Sequence, residues 1–137
     1  MTLQDARILV VGAGLMGAGI AQVAAQAGHA VTLYDNRAGA AEAAKAQLAA
    51  TLDGLVAKGK LTAEAAAATL LRIAPVEALV PADLVIEAIV ENLDVKRALF
   101  AELEALLPDE AVIATNTSSI SVTALARGMK KPGRLVG

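Results

Sequence analysis

Cysteine does not occur in this sequence, which excludes disulfides, thiolate metal sites and a cysteine nucleophile. Histidine occurs once, as His29, so no histidine-rich metal site can be assembled. Tryptophan is missing, and Tyr34 and Phe100 are the only tyrosine and phenylalanine. No basic tract or aromatic platform suggests a nucleic-acid partner, and the charges nearly balance, 12 Lys and Arg against 14 Asp and Glu. What is abundant is aliphatic. The 137 residues are 56% hydrophobic, enough for one domain whose core is built from Ala, Val, Leu and Ile. Small aliphatic side chains suit close packing of helices on a sheet.

The most informative segment is Gly12-Ala13-Gly14-Leu15-Met16-Gly17, directly behind the apolar run Ile8-Leu9-Val10-Val11. A β-branched run that ends in G-x-G-x-x-G and opens into an alanine-rich segment reads as strand, tight turn and helix, the first unit of a dinucleotide-binding fold. The first glycine allows the turn, the second lets the backbone approach a pyrophosphate, and the third lets helix and strand pack closely. The N–H groups at the helix start then face the phosphates.

An acid follows on schedule. Ala30 to Asp35 reads as a second strand ending in Asp35, 18 residues beyond Gly17, close to the spacing of about 20 expected for a carboxylate that binds the adenosine ribose. Such a carboxylate accepts from the 2′- and 3′-hydroxyls and repels a 2′-phosphate, which favours NAD over NADP. Arg37 complicates this, because an arginine just past the strand can bind a 2′-phosphate; the simpler reading is a solvated loop charge. A membrane reading also has to be weighed. Ile8 to Ala27 carries no charge over 20 residues, Arg7 precedes it, and Ala25-Gln26-Ala27 resembles a signal-peptidase site. Gln22, Gln26 and four glycines at fingerprint positions oppose it, and a cytoplasmic or organelle-matrix location is expected.

The pattern alternates strand and helix, which predicts a doubly wound, mostly parallel α/β sheet of Rossmann type. The first helix is expected from Leu15 to Ala27, stopping at Gly28. After the second strand comes a helical excursion: Ala38 to Val56, a break at Gly59, then a helix from an N-cap at Thr62 to about Leu71. Ile73 to Val76 is a short strand and Asp83 to Ile89 a clear one. Val95, Leu99, Leu103 and Leu106 recur at helical spacing up to Pro108. Ala111 to Asn116 is the next strand, Ser121 to Arg127 a short helix, and Arg134 to Val136 the start of a last strand.

Ligands of open parallel sheets bind at the C-terminal ends of the strands. Asp35, then Glu91 and Asn92, then Asn116-Thr117-Ser118-Ser119 follow such ends here. The last run is also a common helix cap or turn. His29 lies between Gly28 and the second strand, at the opposite edge, and reads as a helix-end residue rather than a base.

These segments together resemble the NAD-binding domain of the 3-hydroxyacyl-CoA dehydrogenases. The resemblance is carried by Gly12 to Ala21, by Asp83 to Asn92, by Val95-Lys96 with Leu99-Phe100, and by Ala114 to Ile120; Lys58-Gly59-Lys60-Leu61 also fits. It implies that NAD is the cofactor, held by Gly12, Gly14, Leu15, Met16 and Gly17 and by Asp35 at the ribose. Ala88, Glu91 and Lys96 would lie along its nicotinamide half. Ser118 would contact both cofactor and the substrate oxygen beside the hydride acceptor. Thr51 and Lys58, on the excursion, would meet the coenzyme A of an acyl-CoA substrate. No metal is implied. The family continues from the final glycine into a His-Phe-Phe-Asn-Pro segment, whose His pairs with a Glu as general base, and then into a helical domain that covers the acyl chain and makes a homodimer. By this resemblance the 137 residues form the cofactor domain alone and are expected to be inactive without the rest. Two other readings stay open: a β-hydroxyacid or 6-phosphogluconate-type dehydrogenase domain, and a non-catalytic NAD-sensing module.

Overall fold

The computed structural model describes residues 6–116 and 120–137. Six short strands form one sheet: β1 (Ile8–Val11), β2 (Val31–Tyr34), β3 (Ile73–Val76), β4 (Leu84–Glu87), β5 (Val112–Thr115) and β6 (Leu135–Val136). Their order is β3-β2-β1-β4-β5-β6, and every pair is parallel. The order reverses between β1 and β4, the switch point at which open α/β sheets bind ligands. The expected Rossmann-type, mostly parallel topology is present, with all-parallel pairing among the described strands.

Helices cover the two faces in halves. On one lie α1 (Leu15–Gln26) and α2 (Ala40–Ala57), the latter packed on α3 (Ala63–Leu71). Their alanines, among them Ala21, Ala25, Ala41 and Ala44, press on Ile8, Val10, Val31, Leu33 and Ile73. On the other face α4 (Leu93–Leu106) and α5 (Val122–Ala126) bury Phe100, Leu103 and Leu125 against Leu9, Val11, Val85 and Ile113. A 3₁₀ turn at Pro132–Arg134 leads into β6. The uncharged stretch from Ile8 to Ala27 is thus a strand, a turn and a 12-residue helix. Among the described residues no helix is long and apolar enough to cross a membrane.

Capping follows local chemistry. Thr62 Oγ1 accepts from Ala65 N–H at 3.1 Å, and Asn92 Oδ1 from Val95 N–H at 3.0 Å, each satisfying a free donor of a first helical turn. Thr62 was expected in this role; Asn92 was grouped with the strand-end polar residues, and its side chain is used as a helix cap.

The cover is incomplete on the α1 side. Register places Ile8, Leu84 and Val112 in one row of that face and Val10, Ile86, Ala114 and Val136 in the next. Ile8 and Val10 are buried beneath the helices, Leu84 and Ile86 half-buried, and Val112 and Val136 exposed. Parallel sheets are normally covered on both faces. Ile86 here joins Leu15, Met16, Ile20 and Val23 of α1 in lining an open apolar groove.

Candidate functional site

The turn after β1 is shaped by two close approaches. Gly12 has φ +113°, and a Cβ there would stand 2.4 Å from the Ala88 carbonyl oxygen. A Cβ on Gly17 would stand 1.7 Å from the oxygen of Gly12. Both positions therefore require glycine, one to bring β1 beside the end of β4, the other to bring α1 onto the turn. Gly14 differs: it is the N-cap of α1, no side chain caps the helix there, and a Cβ would meet nothing within 4 Å. The open helix start with no acidic residue in its first turn suits an anion. The chemistry of this cradle fits the pyrophosphate of a dinucleotide.

Asp35 stands just past β2, beside the turn. Its Oδ2 accepts from Ala13 N–H at 2.8 Å and from Arg37 Nη2 at 3.2 Å. Its Oδ1 accepts from Arg37 N–H at 2.9 Å and Nε at 3.0 Å. Partial burial pushes the carboxyl's pKa up, but the Arg37 side-chain bonds, the two backbone bonds and the guanidinium charge outweigh it and bring the pKa to about 2. Arg37 is an exposed loop residue, as expected, and its guanidinium is also bonded to Asp35. Because Asp35 is held below its ordinary value, its contribution to stability is complete above about pH 4 and lost as pH falls through about 2. The unfolding free-energy gap between wild type and Asp35→Asn is expected to shrink between pH 5 and pH 2. A pH-independent gap in urea titrations would contradict this.

A cavity of about 690 Å³ opens along the C-terminal ends of β1, β2 and β4, lined among others by Gly12, Gly14, Asp35, Arg37 and Ala88. Next to Ala88 along the chain, at the end of β4, begins a charged cluster that does not line this cavity. Lys96 and Glu87 are both 0% exposed, with Lys96 Nζ 3.1 Å from Glu87 Oε1. Thr115 Oγ1 donates to the same oxygen, and Ile89 N–H donates to Oε2 at 2.8 Å. The other side of the ammonium donates to Glu91 Oε1 at 2.8 Å, and Glu91 is 35% exposed. Lys96 thus stands between a buried carboxylate and one that reaches the surface, and its ammonium acts outward through Glu91. Glu87 and Thr115 were not singled out in the sequence. The available signal was Glu87 itself, a carboxylate inside the otherwise apolar run Leu84 to Ile89.

The remaining expected residues scatter. Leu15 and Met16 stand at the start of α1 and line the apolar groove, not the cavity beside Asp35. Thr51, on α2, donates its hydroxyl to Gln47 O at 3.1 Å, and Lys58 is the exposed C-cap of that helix. Ser118 lies outside the described residues. His29, with Nδ1 3.3 Å from Ala6 O, sits before β2, at the edge opposite Asp35. No group of metal-ligating side chains occurs among the described residues.

A parallel sheet with a switch point, a glycine turn at a helix start and a carboxylate at the end of β2 define a dinucleotide-binding domain. Sequence comparison makes it specific: the family described as 3-hydroxyacyl-CoA dehydrogenase, NAD binding domain, matches residues 7–137, and the chain belongs to that family. It is 49% identical over 140 residues to the 3-hydroxyadipyl-CoA dehydrogenase of Escherichia coli, covering 100% of this chain and 30% of that protein. It is 44% identical over 134 residues to the 3-hydroxybutyryl-CoA dehydrogenase of Bradyrhizobium diazoefficiens, covering 96% and 46%. The crystal structure of 3-hydroxybutyryl-CoA dehydrogenase from Escherichia coli K12 superposes with a TM-score of 0.91 at 49% identity, over 94% of this chain and 28% of that one. The chain therefore spans less than half the length of these relatives.

Proposed function

We propose that this domain serves the NAD-dependent oxidation of (3S)-3-hydroxyacyl-CoA to 3-oxoacyl-CoA, in fatty-acid or related acyl-CoA metabolism. The observation that carries the reading is the assembly of the glycine turn, Asp35 and the Glu87–Lys96–Glu91 cluster at one edge of the sheet, in a chain 44–49% identical to dehydrogenases named for acyl-CoA substrates. When bound, NAD supplies the hydride acceptor. Asp35 accepts from the adenosine ribose, the Gly12–Gly17 turn takes the pyrophosphate, and Ala88, Glu91 and Lys96 flank the nicotinamide half. Ser118 contacts the substrate oxygen, while Thr51 and Lys58 meet coenzyme A, Lys58 as a cation for a phosphate.

The general base, on this reading, belongs to a second, helical domain, which also closes over the acyl chain and forms a homodimer. Two things support it: the greater length of the relatives and the uncovered apolar face that runs from α1 to β6, a surface suited to burial by further chain. The 137 residues alone are then expected to bind NAD and turn over no substrate. A cytoplasmic or organelle-matrix location suits this chemistry.

The substrate roles are tested in the protein carrying both domains. Ser118→Ala is expected to lower kcat by about 10-fold or more, through a weakened contact near the transition state. Lys58→Ala is expected to raise KM for 3-hydroxybutyryl-CoA several-fold and leave the Kd of NAD unchanged. A Lys58→Ala variant that lost NAD affinity with no change in KM for the thioester would refute its assignment.

A further inference from the structure

Asp35 is fully engaged before any ligand arrives. A carboxylate offers about four lone-pair sites, and four donors already point at this one: Ala13 N–H, Arg37 N–H, Arg37 Nε and Arg37 Nη2. A ribose diol needs two of those sites. The backbone donors are held by the turn after β1 and the bend after β2, so neither can leave without moving the chain. The guanidinium can: the Arg37 side chain is 68% exposed, against 9% for Asp35, so it can swing into solvent while the backbone stays in place.

We propose that Arg37 is a specificity-determining residue, an internal competitor that occupies Asp35 until the ribose diol of the cofactor displaces it. Tethered two residues from Asp35, the displaced cation stays within reach of the 2′ position. There it attracts a 2′-phosphate that Asp35 repels. Arg37 thus weakens NAD and strengthens NADP, so the preference for NAD is narrower than Asp35 alone dictates. The inference rests on the reading of Asp35 as the ribose ligand.

Calorimetric titration of the protein and its Arg37→Ala variant with NAD and with NADP tests it. The Arg37 side chain is 68% exposed, and an unchanged circular-dichroism spectrum with one cooperative melting transition verifies that the fold is intact. The variant is expected to bind NAD about two- to five-fold more tightly, since the guanidinium no longer competes for the carboxylate. It is expected to bind NADP several-fold less tightly, so that the ratio of the two affinities widens about ten-fold. A ratio unchanged within about two-fold, or a loss of NAD affinity in Arg37→Ala, would overturn the proposal while leaving the cofactor site standing. Failure of both dinucleotides to bind the unmutated protein would overturn the site assignment and this inference with it.

Discussion

Lys96→Met is expected to destabilise the protein by about 3–5 kcal/mol, the cost typical of removing one partner from a buried ion pair. Glu87, wholly buried between β1 and β5, keeps its Thr115 and Ile89 donors in the variant but loses the cation paired with it. A carboxylate left in that position has to take up a proton or draw in water, and either route opposes folding. Glu91 loses the ammonium that holds it at 2.8 Å, so NAD binding is expected to weaken in the molecules that do fold. The double variant Glu87→Leu/Lys96→Met separates the two effects. Replacing both charges with apolar groups is often neutral or stabilising, but the Thr115 hydroxyl and Ile89 N–H then lose their acceptor, so it should recover part of the stability and none of the lost NAD affinity. Urea unfolding gives the first quantity and calorimetric titration the second. A Lys96→Met protein as stable as wild type would show that the cluster is not buried in solution.

Gly17→Ala is the second large effect. An alanine inside a helix normally stabilises by roughly 0.5–1 kcal/mol relative to glycine; here the sign is expected to reverse. The new Cβ would stand 1.7 Å from the backbone oxygen of Gly12. No flexible side chain can yield, so α1 has to move off the turn and the anion cradle opens. Overpacking costs typically about 1–3 kcal/mol, and a clash with backbone belongs at the upper end. NAD affinity should fall by about 100-fold or more. Gly14→Ala is the control with the opposite profile. Its Cβ meets no protein atom, so stability should hold while NAD binding falls, because the methyl group stands where the pyrophosphate approaches. Melting curves and NAD titrations on both variants decide the matter. A Gly17→Ala protein with unchanged melting temperature and affinity would refute the packing role given to this glycine.

The part of this protein legible from its residues is the part governed by short-range chemistry. Gly12 and Gly17 announce a turn because only glycine tolerates a positive φ or so close a backbone contact. Thr62 announces a helix start because its hydroxyl satisfies a donor three residues on. The alternation of apolar strands with alanine-rich helices specifies a parallel α/β sheet, since strands covered on both faces must be apolar throughout. Asp35 was legible for the same reason, as an acid at a fixed distance from the turn. The segment bounds shifted by a residue or two where strands end in bends: Asp83 and Ile89 lie outside β4, and Ala30 and Asp35 outside β2.

Tertiary structure decided which charges are buried and what they hold. Nothing in the local pattern of Glu87, Lys96 and Thr115 separates a solvated charge from a buried one. Glu87 and Thr115 are 28 residues apart and meet because β5 pairs with β4 in register. Lys96 joins them because α4 lies on that face of the sheet and leaves its ammonium no path to water. Arg37 is two residues from Asp35, yet its grip on both carboxylate oxygens depends on the bend that follows β2, which composition does not specify. The sequence by itself determined the fold class, the glycine cradle and the acid beside it, because each follows from backbone sterics or spacing along the chain. Only the tertiary structure made a buried ion pair of Glu87 and Lys96 and set the Arg37 guanidinium on Asp35, because desolvation and long-range pairing exist only once the sheet is assembled.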